Sequence, residues 1–361
     1  MLSSLSIASL ALLSALASAQ TACNNSPSLC SRAYSNLTHL GAHNSPFVRD
    51  ASTSFSVSGN HFYNSTVQLD AGVRLLSAQV HNRNANGGGT PTWHLCHSSC
   101  DLLDAGPLSS WLGEVKTWMD AHPNDVVTLL LVNADGATAS DLHAQFTAAD
   151  IVRYGYVPAA PGPTTQWPTL ESLIAANTRL ITFVASRLPA EADTVAPYLL
   201  DEFTYVFETP FDNTAPSNFT CLPDRPAALA GDPATAIASG RLPLMNHFLY
   251  ETQAFFDVPA VDNVTTTNAV EGVGSLGEHG MRCTGVWGRV PSFVLVDFFN
   301  VGPAIESVDR LNGVTSPVGR RNVGDEVVMS GGQQDAQSAA VGRAGVSWAV
   351  VVLAAVVSML V

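Results

Sequence analysis

Two short histidine-bearing segments carry the side chains best suited to acid–base chemistry. Gly41–Ser45 reads GAHNS and contains His43, and Trp93–Cys100 reads WHLCHSSC and contains His97. Each histidine lies where an apolar run gives way to a loop. Histidine titrates near neutral pH, so one imidazole can act as a general base and a second as a general acid. The pattern therefore predicts His43 and His97 as a base–acid pair at one rim of the fold.

The N-terminus has the pattern of a secretory signal peptide. An apolar run extends from Leu5 to Leu16 and is followed by Ala17-Ser18-Ala19, which matches an A-x-A cleavage site. The run is too short to span a bilayer. We expect residues 1–19 to be removed and the protein to be secreted.

The C-terminus has the pattern of a glycosylphosphatidylinositol attachment signal. Small residues at 330–332, a polar spacer at 333–343 and an uncharged apolar tail at 344–361 follow one another. A single-span anchor would usually carry cytoplasmic Lys or Arg beyond the tail. The sequence predicts a polar stalk at 316–330, attachment at Ser330 or Gly331, and removal of 331–361. The protein would then lie on the outer face of the plasma membrane or in the cell wall.

Composition limits the kinds of partner. The formal net charge is −14 and basic residues form no run, which argues against nucleic-acid binding. A negatively charged substrate would have to be met by a local arginine. The segment 20–315 is long enough for one large α/β domain and shows no internal repeat. We expect it to be a monomer.

Six cysteines in an exported chain favour disulfide bonds. Six cysteines can pair in about fifteen ways. Proximity in the sequence favours the set Cys23–Cys30, Cys96–Cys100 and Cys221–Cys283. Zinc binding is the alternative, because four residues have the spacing of metal ligands: His94, Cys96, His97 and Cys100. N-glycosylation sequons, which fit a secreted surface, occur at five positions: Asn24, Asn36, Asn64, Asn218 and Asn263.

Apolar runs alternate with helical patterns along the chain. Eight runs read as strands, at residues 37–43, 73–80, 92–96, 126–132, 180–184, 204–208, 242–248 and 293–300. Helices are predicted at 108–121 and 168–176. Apolar strands separated by helices are typical of parallel βα units, so the expected fold is α/β, a distorted (β/α)8 barrel. Catalytic groups of such barrels gather where the strands end. The polar side chains at or near those ends are His43, Gln79, His97, Asn133, Glu208, His247 and Asp297.

The order of these motifs resembles the phosphatidylinositol-specific phospholipase C superfamily, and more closely its secreted fungal branch of PLC-like phosphodiesterases. The similarity runs from about residue 35 to residue 310. Its motifs are Gly41–Ser45, Gly72-Val73-Arg74, His97 before a helix, Trp167–Leu170 and Phe293–Asn300.

The resemblance implies a distorted barrel and a role for each site residue. His43 would take the proton from an inositol hydroxyl that attacks its neighbouring phosphate, and Asp297 would orient His43. His97 would protonate the departing diacylglycerol oxygen, leaving a cyclic phosphate; His94 is the less favoured second histidine. Asn44 matches a calcium ligand of metal-dependent members.

The chain departs from that family at the positions that supply charge. Calcium-dependent members carry two carboxylates where this chain has Ser77 and Gln79, and metal-free bacterial members carry an arginine at the position of Gln79. We expect no cofactor, with calcium as a possibility through Asn44. Ser77, Gln79 and Asn44 are candidate phosphate-binding residues, and Arg83 in the following loop is the candidate for the missing positive charge. Loss of a charge-stabilising donor typically costs about a hundredfold or more in rate.

Three functions fit these observations. The first is a cell-surface phosphodiesterase that cleaves a phospholipid or an inositol or glycan phosphodiester with the two histidines. The second is a catalytically degenerate barrel that binds an inositol-like or cell-wall ligand. The third is a wall glycosidase using Glu208 and Asp297, which would leave the paired histidines unexplained.

Overall fold

The computed structural model of the protein describes residues 22–327, apart from seven positions and the side chain of Phe256. The seven positions are Asn86, Gly88, Arg187, Pro189, Ala190, Ala254 and Phe255. The predicted signal peptide and the predicted lipid-anchor signal, with Ser330 and Gly331, lie outside the described residues.

Strands and helices alternate over the described residues. The strands are β1 His39–Ala42, β2 Leu75–Asn82, β3 Trp93–Cys96, β4 Asp104–Pro107, β5 Val127–Asn133, β6 Leu180–Ala185, β7 Leu199–Asp201, β8 Val206–Glu208, β9 Leu242–Asn246, β10 Tyr250–Gln253, β11 Phe256–Pro259 and β12 Phe293–Val296. The helices are α1 Ser65–Ala71, α2 Leu108–Ala121, α3 Ala139–Ala148, α4 Leu170–Ala175, α5 Ala192–Val195, α6 Glu202–Tyr205, α7 Pro233–Ala238, α8 Val264–Thr267, α9 Leu276–Trp287 and α10 Ala304–Asn312.

Eight parallel strands form a curled sheet in the order β7-β6-β5-β2-β1-β12-β9-β8. Among these eight strands, each pair of neighbours in the sheet is also consecutive along the chain, except that the first strand, β1, pairs with the last, β12. That is the order of a (β/α)8 barrel, so the predicted fold is confirmed as an open, distorted barrel. Among the described residues, no strand pairing joins β7 to β8.

The opening between β7 and β8 has a physical cause in the length of their connection. Parallel neighbours need a crossover of about a dozen residues or more to return the chain to the starting edge. Here α6 alone links the two strands, with four residues. The link is too short for a crossover, and the sheet stays open at this point.

Two strand predictions are corrected by the pairing. The predicted third strand, 92–96, is not a barrel strand, because β3 pairs antiparallel with the far end of β2 and with β4. The barrel strand that the sequence prediction missed is β7, whose three residues are too few to show a pattern. The predicted sixth strand, 204–208, begins at Val206 because α6 occupies the preceding residues.

Alternation along the strands separates two apolar layers. Leu40, Leu76 and Leu129 belong to the layer between sheet and helices, whereas Leu75 and Leu295 belong to the filled interior of the barrel. Gly41 faces that interior, where an added Cβ would lie 2.7 Å from Leu295 Cδ2 and 2.8 Å from Leu75 Cδ2. The interior is therefore packed up to the level of Gly41. His43 follows Gly41 by two residues, so its side chain lies on the same, inward face, directly above the packed interior.

The segment predicted as a stalk packs against the barrel in its described part. Val318 N donates to Asn25 O and Arg321 N donates to Asp70 O, both at 2.8 Å. The Arg320 guanidinium binds both oxygens of Asp309, at 2.5 and 2.7 Å. The part of the predicted stalk that contains Val318, Arg320 and Arg321 is therefore tied to the barrel, whereas residues 328–330 lie outside the described residues. No helix of the described chain is long and apolar enough to cross a bilayer.

All three predicted disulfides are present: Cys23–Cys30, Cys96–Cys100 and Cys221–Cys283. The zinc alternative is wrong, because Cys96 and Cys100 have no thiolate to offer a metal.

Four of the five sequon asparagines are exposed: Asn36, Asn64, Asn218 and Asn263. The fifth, Asn24, is only 6% exposed, and its Oδ1 accepts a hydrogen bond from Val126 N at 2.7 Å. This burial contradicts a glycan at Asn24.

Candidate active site

His43 and Asp297 are brought together by strand register. β1 pairs with β12 so that Ala42 lies opposite Val296, and the residues that follow each strand are therefore neighbours. His43 N donates to Val296 O at 2.9 Å, which continues the ladder by one residue. The His43 Nδ1 then lies 2.9 Å from Asp297 Oδ1, with both side chains largely buried.

Two residues of the long loop after β1 support this pair. Asn60 is fully buried, and its Nδ2 donates to Asp297 Oδ1 at 2.8 Å. His61, also fully buried, has its Nε2 2.8 Å from the carbonyl oxygen of His43. Burial lowers the pKa of His61 to about 4, so at neutral pH it is uncharged and donates from Nε2. Sequence analysis missed both residues.

An aromatic face fixes the His43 ring from the side. Phe248 stacks on it with ring centroids 3.8 Å apart and planes 2° from parallel. Tyr250 meets it edge-on at 6.4 Å. Stacking holds the plane of the imidazole, so the hydrogen bond at Nδ1 leaves Nε2 pointing away from Asp297.

His97 lies in a loop closed by the Cys96–Cys100 disulfide. Its backbone N donates to Leu103 O at 2.9 Å, and the Phe47 ring meets the imidazole edge-on at 5.3 Å. Its Nε2 is buried with no hydrogen-bond partner among the described residues. Burial, and then the nearby His43, lower the pKa of His97 to about 4. This nitrogen therefore has a hydrogen-bonding capacity that the described residues do not use.

Asn44, Ser77 and Gln79 form a neutral cluster beside His43. Asn44 adopts φ 54°, a left-handed turn that asparagine tolerates well, and its N donates to Ser77 Oγ at 2.9 Å. Gln79 Nε2 donates to Asn44 Oδ1 at 3.3 Å, and Gln79 Oε1 accepts from Ser98 N at 2.8 Å. Gln79 thus ties the Asn44 turn to the loop that carries His97.

This cluster does not fit calcium. Calcium takes about six to eight oxygen ligands, with carboxylates among them. Asn44, Ser77 and Gln79 offer only neutral oxygens, and those oxygens already accept the hydrogen bonds just described.

Arg83 lies on the hairpin beyond the barrel strands and pairs with carboxylates. Its Nε is 3.0 Å from Asp104 Oδ2, and Nη1 is 3.8 Å from Asp101 Oδ1. His94 Nδ1 also binds Asp104, at 3.0 Å. The contacts of Arg83 and His94 are thus with the hairpin, and neither lies in the cluster that surrounds His43.

A second polar cluster, at the end of β8, was missed by sequence analysis apart from Glu208. The Glu208 carboxylate binds the Arg225 guanidinium and accepts from Asn246 Nδ2 at 3.2 Å. Glu202 is fully buried next to it, and burial together with the Glu208 charge raises the pKa of Glu202 well above its usual range. The raised pKa favours the protonated form of Glu202, and Glu208 is paired with Arg225.

Two other residues at predicted strand ends are structural. Asn133 Oδ1 accepts from Ala137 N at 2.7 Å and closes the turn after β5. His247 is fully buried, with Nδ1 2.9 Å from His279 Nδ1 and Nε2 2.8 Å from Thr267 O.

Comparisons with known proteins agree with this architecture. The family model described as PI-PLC X 1 matches residues 29–312. PI-PLC X domain-containing protein 1 of Arthroderma benhamiae is 40% identical over 304 residues, covering 83% of this chain and 93% of the relative. A protein of the same fungus named "Uncharacterized secreted protein" is 38% identical over 303 residues, covering 81% of this chain and 64% of the relative.

A solved structure shares the fold. The phosphatidylinositol-specific phospholipase C of Listeria monocytogenes aligns with a TM-score of 0.50 at 12% sequence identity, covering 78% of this chain and 95% of the bacterial one. At that identity the likeness concerns the fold. The family match spans most of the chain and includes His43, His97 and Asp297. The chain therefore belongs to the PI-PLC X family, whose fold and relatives are those of phospholipase C-like phosphodiesterases.

Proposed function

We propose that this protein is a phosphoric diester hydrolase that cleaves an inositol-type phosphodiester with His43 as general base and His97 as general acid. The observation that carries the proposal is the Asp297–His43 hydrogen bond at the mouth of a filled barrel. With its Nδ1–H donated to Asp297, the His43 imidazole has a lone pair on Nε2. That nitrogen can accept a proton from a substrate hydroxyl, and Asp297 stabilises the imidazolium that forms.

The reaction that follows is an internal displacement. His43 Nε2 removes the proton from an inositol hydroxyl, whose oxygen forms a bond to the neighbouring phosphorus. The bond from phosphorus to the leaving alcohol oxygen breaks, and that oxygen takes a proton from His97. The products of this transfer are a cyclic phosphate and a free alcohol. Hydrolysis is completed when water opens the cyclic phosphate, with neutral His97 taking the proton from water and the His43 imidazolium protonating the inositol oxygen, which restores the starting state.

His97 must be protonated to act, although its pKa is lowered to about 4 in the free protein. A bound phosphate carries negative charge, which favours the imidazolium and raises the pKa of a nearby histidine. Substrate binding therefore supplies the charge that makes His97 an acid. Without a bound anion, the lowered pKa keeps His97 uncharged at neutral pH.

Stabilisation of the phosphoryl oxygens falls to hydrogen-bond donors. Asn44 Nδ2 is buried and has no partner within the described chain. An amide aimed at a developing charge in a dry site contributes to rate, although less than a cation does. We assign this role to Asn44, and we expect modest turnover.

The test is hydrolysis of phosphatidylinositol and of glycerophosphoinositol, each with calcium and with a chelator. We compare the wild-type protein with His43→Ala, and use His143→Ala on α3 as a matched histidine control. Release of cyclic phosphate that is lost only in His43→Ala, and that does not need calcium, is the expected result.

A binding barrel is the second candidate, favoured by the neutral Ser77 and Gln79 at the positions of the family's charged residues. A folded wild-type protein that releases nothing from either substrate, yet binds inositol phosphate in calorimetry, would establish this function and exclude the hydrolase.

We also propose that the protein is secreted and lipid-anchored at the cell surface. The terminal sequence patterns, three disulfides and a relative named as secreted support this location. In fungal cells, the full chain should stay with membranes, whereas a chain that ends at Met329 should enter the medium. Equal amounts of both chains in the medium would contradict an anchor.

A further inference from the structure

A polar cavity of about 250 Å3 lies on the hairpin side of the His97 loop. We call it the hairpin pocket and define it by six of its lining residues: His81, Arg83, Ser98, Ser99, Asp101 and Asp135. Of these six residues, Ser98 is the one that contacts the proposed site: its N donates to Gln79 Oε1, and its Oγ lies 3.4 Å from His97 Nδ1.

The hairpin pocket adjoins the leaving-group side of the proposed reaction. Ser98 directly follows His97, and Ser98 N donates to Gln79 Oε1 at 2.8 Å. His81 lies two residues beyond Gln79 on β2, so the two side chains lie on the same face of the strand. Because Ser98 lines the pocket and its Oγ lies 3.4 Å from His97 Nδ1, the pocket begins beside the His97 ring.

Hydrogen-bonding capacity is left open in the pocket. His81 Nδ1 lies 3.4 Å from Asp135 Oδ2, whereas His81 Nε2 is buried without a hydrogen-bond partner in the described residues. Asn82 N donates to Asp135 Oδ2 at 2.8 Å and so fixes the carboxylate. A buried nitrogen without a partner is costly unless a ligand or water completes it.

The charge of the pocket selects against an anion. Asp101 and Asp135 contribute two carboxylates, against one guanidinium from Arg83 that Asp104 already binds. The hydroxyls of Ser98 and Ser99 add groups that both donate and accept. Such a lining matches a neutral ligand with several hydroxyl groups, and it offers little to an acyl chain.

We propose that the hairpin pocket binds a polyhydroxyl leaving group, glycerol or a sugar, so that the substrate is a water-soluble inositol phosphodiester and not a diacylglycerol lipid. This inference rests on the proposed function, since it assigns the alcohol that His97 protonates. The hydroxyls of that alcohol would bond to His81 Nε2, Asp135 and the serines while its bridging oxygen faces His97.

The test compares three substrates: glycerophosphoinositol, phosphatidylinositol in phosphatidylcholine vesicles, and 4-methylumbelliferyl inositol phosphate, whose aromatic alcohol leaves without an acid. Wild-type kcat/KM should be at least tenfold higher for glycerophosphoinositol than for phosphatidylinositol. Asp135→Asn, which keeps the acceptor for Asn82 N, should lower the ratio of kcat/KM for glycerophosphoinositol over the methylumbelliferyl ester at least tenfold. His81→Gln should act in the same direction, and Glu171→Gln, at an exposed position of α4, is the control.

Failure of the inference and failure of the proposed function give different results. A wild-type protein that prefers phosphatidylinositol, or variants that leave the ratio unchanged while thermal unfolding matches the control, would overturn the pocket assignment. A wild-type protein that hydrolyses none of the three substrates would overturn the hydrolase. In that case, calorimetry with glycerophosphoinositol decides on the pocket: binding weakened tenfold by Asp135→Asn supports it, and equal or absent binding overturns it.

Discussion

Asp297 accepts hydrogen bonds from His43 and from Asn60 through a single oxygen, which couples three buried side chains. Asp297→Asn would replace that acceptor by an amide that can donate to His43 Nδ1 and so stabilise the wrong tautomer. We expect kcat to fall about a thousandfold with little change in KM, as orientation of a general base requires. Steady-state kinetics against the exposed-loop control Asp212→Asn measures this. Wild-type kcat in Asp297→Asn would show that His43 needs no partner.

The lowered pKa of His97 sets the direction of the pH dependence. Because free His97 gives up its proton above about pH 4, the fraction of protein with a charged acid falls as pH rises. We expect kcat/KM to be at least about tenfold higher at pH 5 than at pH 8. The kcat value should decline only at higher pH, because bound phosphate raises the pKa of His97.

His97→Gln supplies the control for that profile, since it removes the titrating group and should abolish most of the activity. A wild-type kcat/KM that rises from pH 5 to pH 8 would remove His97 from the role of acid.

Among single residues, the sequence predicts those that lie at strand ends or match motifs. His43, His97 and Asp297 belong to this group. Asn60 does not, because it lies in the irregular loop after β1, 17 residues beyond His43, and contacts Asp297 only through the fold. Arg225 is likewise paired with Glu208 by tertiary contact, across a loop with no pattern. Arg83 is the opposite case. It is close to Gln79 in sequence and was predicted to lie in the site, but it pairs with Asp101 and Asp104 of the hairpin.

At the scale of elements, two disulfides close loops of very different length. One closes the short loop that carries His97, and the other joins α9 to a distant segment of the chain. The cysteines are 4 residues apart in Cys96–Cys100 and 62 apart in Cys221–Cys283. Loop-closure entropy assigns about 2 kcal/mol to the first and about 4 kcal/mol to the second. Replacing Cys221 and Cys283 by serines should therefore lower the free energy of unfolding more than replacing Cys96 and Cys100 by serines.

Activity should show the opposite order, because only Cys96–Cys100 positions a proposed catalytic group. Denaturant unfolding and kcat for the two double variants measure both effects. Equal loss of kcat in two variants that are both folded at the assay temperature would contradict a positioning role for the short disulfide.

Long apolar strands and α2 were predictable from sequence, and α2 has the predicted bounds, Leu108–Ala121. Short elements were not. β7 has three residues, and β3 reads as a strand whether its partner runs parallel or antiparallel. The direction in which β3 runs depends on the turn after Asn82 and on its pairing with β2. The hydrophobic pattern of β3 alone does not encode that direction.

Across the whole molecule, burial keeps several histidines neutral. It lowers the pKa of His39, His61, His97 and His279 to about 4, whereas an unfolded chain binds these protons near pH 6.5. The unfolded state therefore holds more protons between pH 6.5 and pH 4, and stability falls as pH decreases through that range. Each such histidine contributes about 1.4 kcal/mol per pH unit at most.

We expect the free energy of unfolding to drop by at least about 1.4 kcal/mol from pH 6.5 to pH 5.5, as measured by denaturant titration. His39→Gln, remote from the proposed site, should reduce the slope if it folds. A free energy of unfolding that is constant over this interval would mean that these histidines are charged in the folded protein.

The gap between β7 and β8 bears on how this molecule can change. In a closed barrel, strand number and stagger set the diameter, so the bore cannot widen without altering every strand. Here the sheet has two free ends joined by the four residues of α6. Lengthening that link could move the ends apart while each existing ladder keeps its register. Descendants of this chain could therefore admit bulkier head groups through a local insertion, with the geometry of His43 and Asp297 on the opposite side of the sheet preserved.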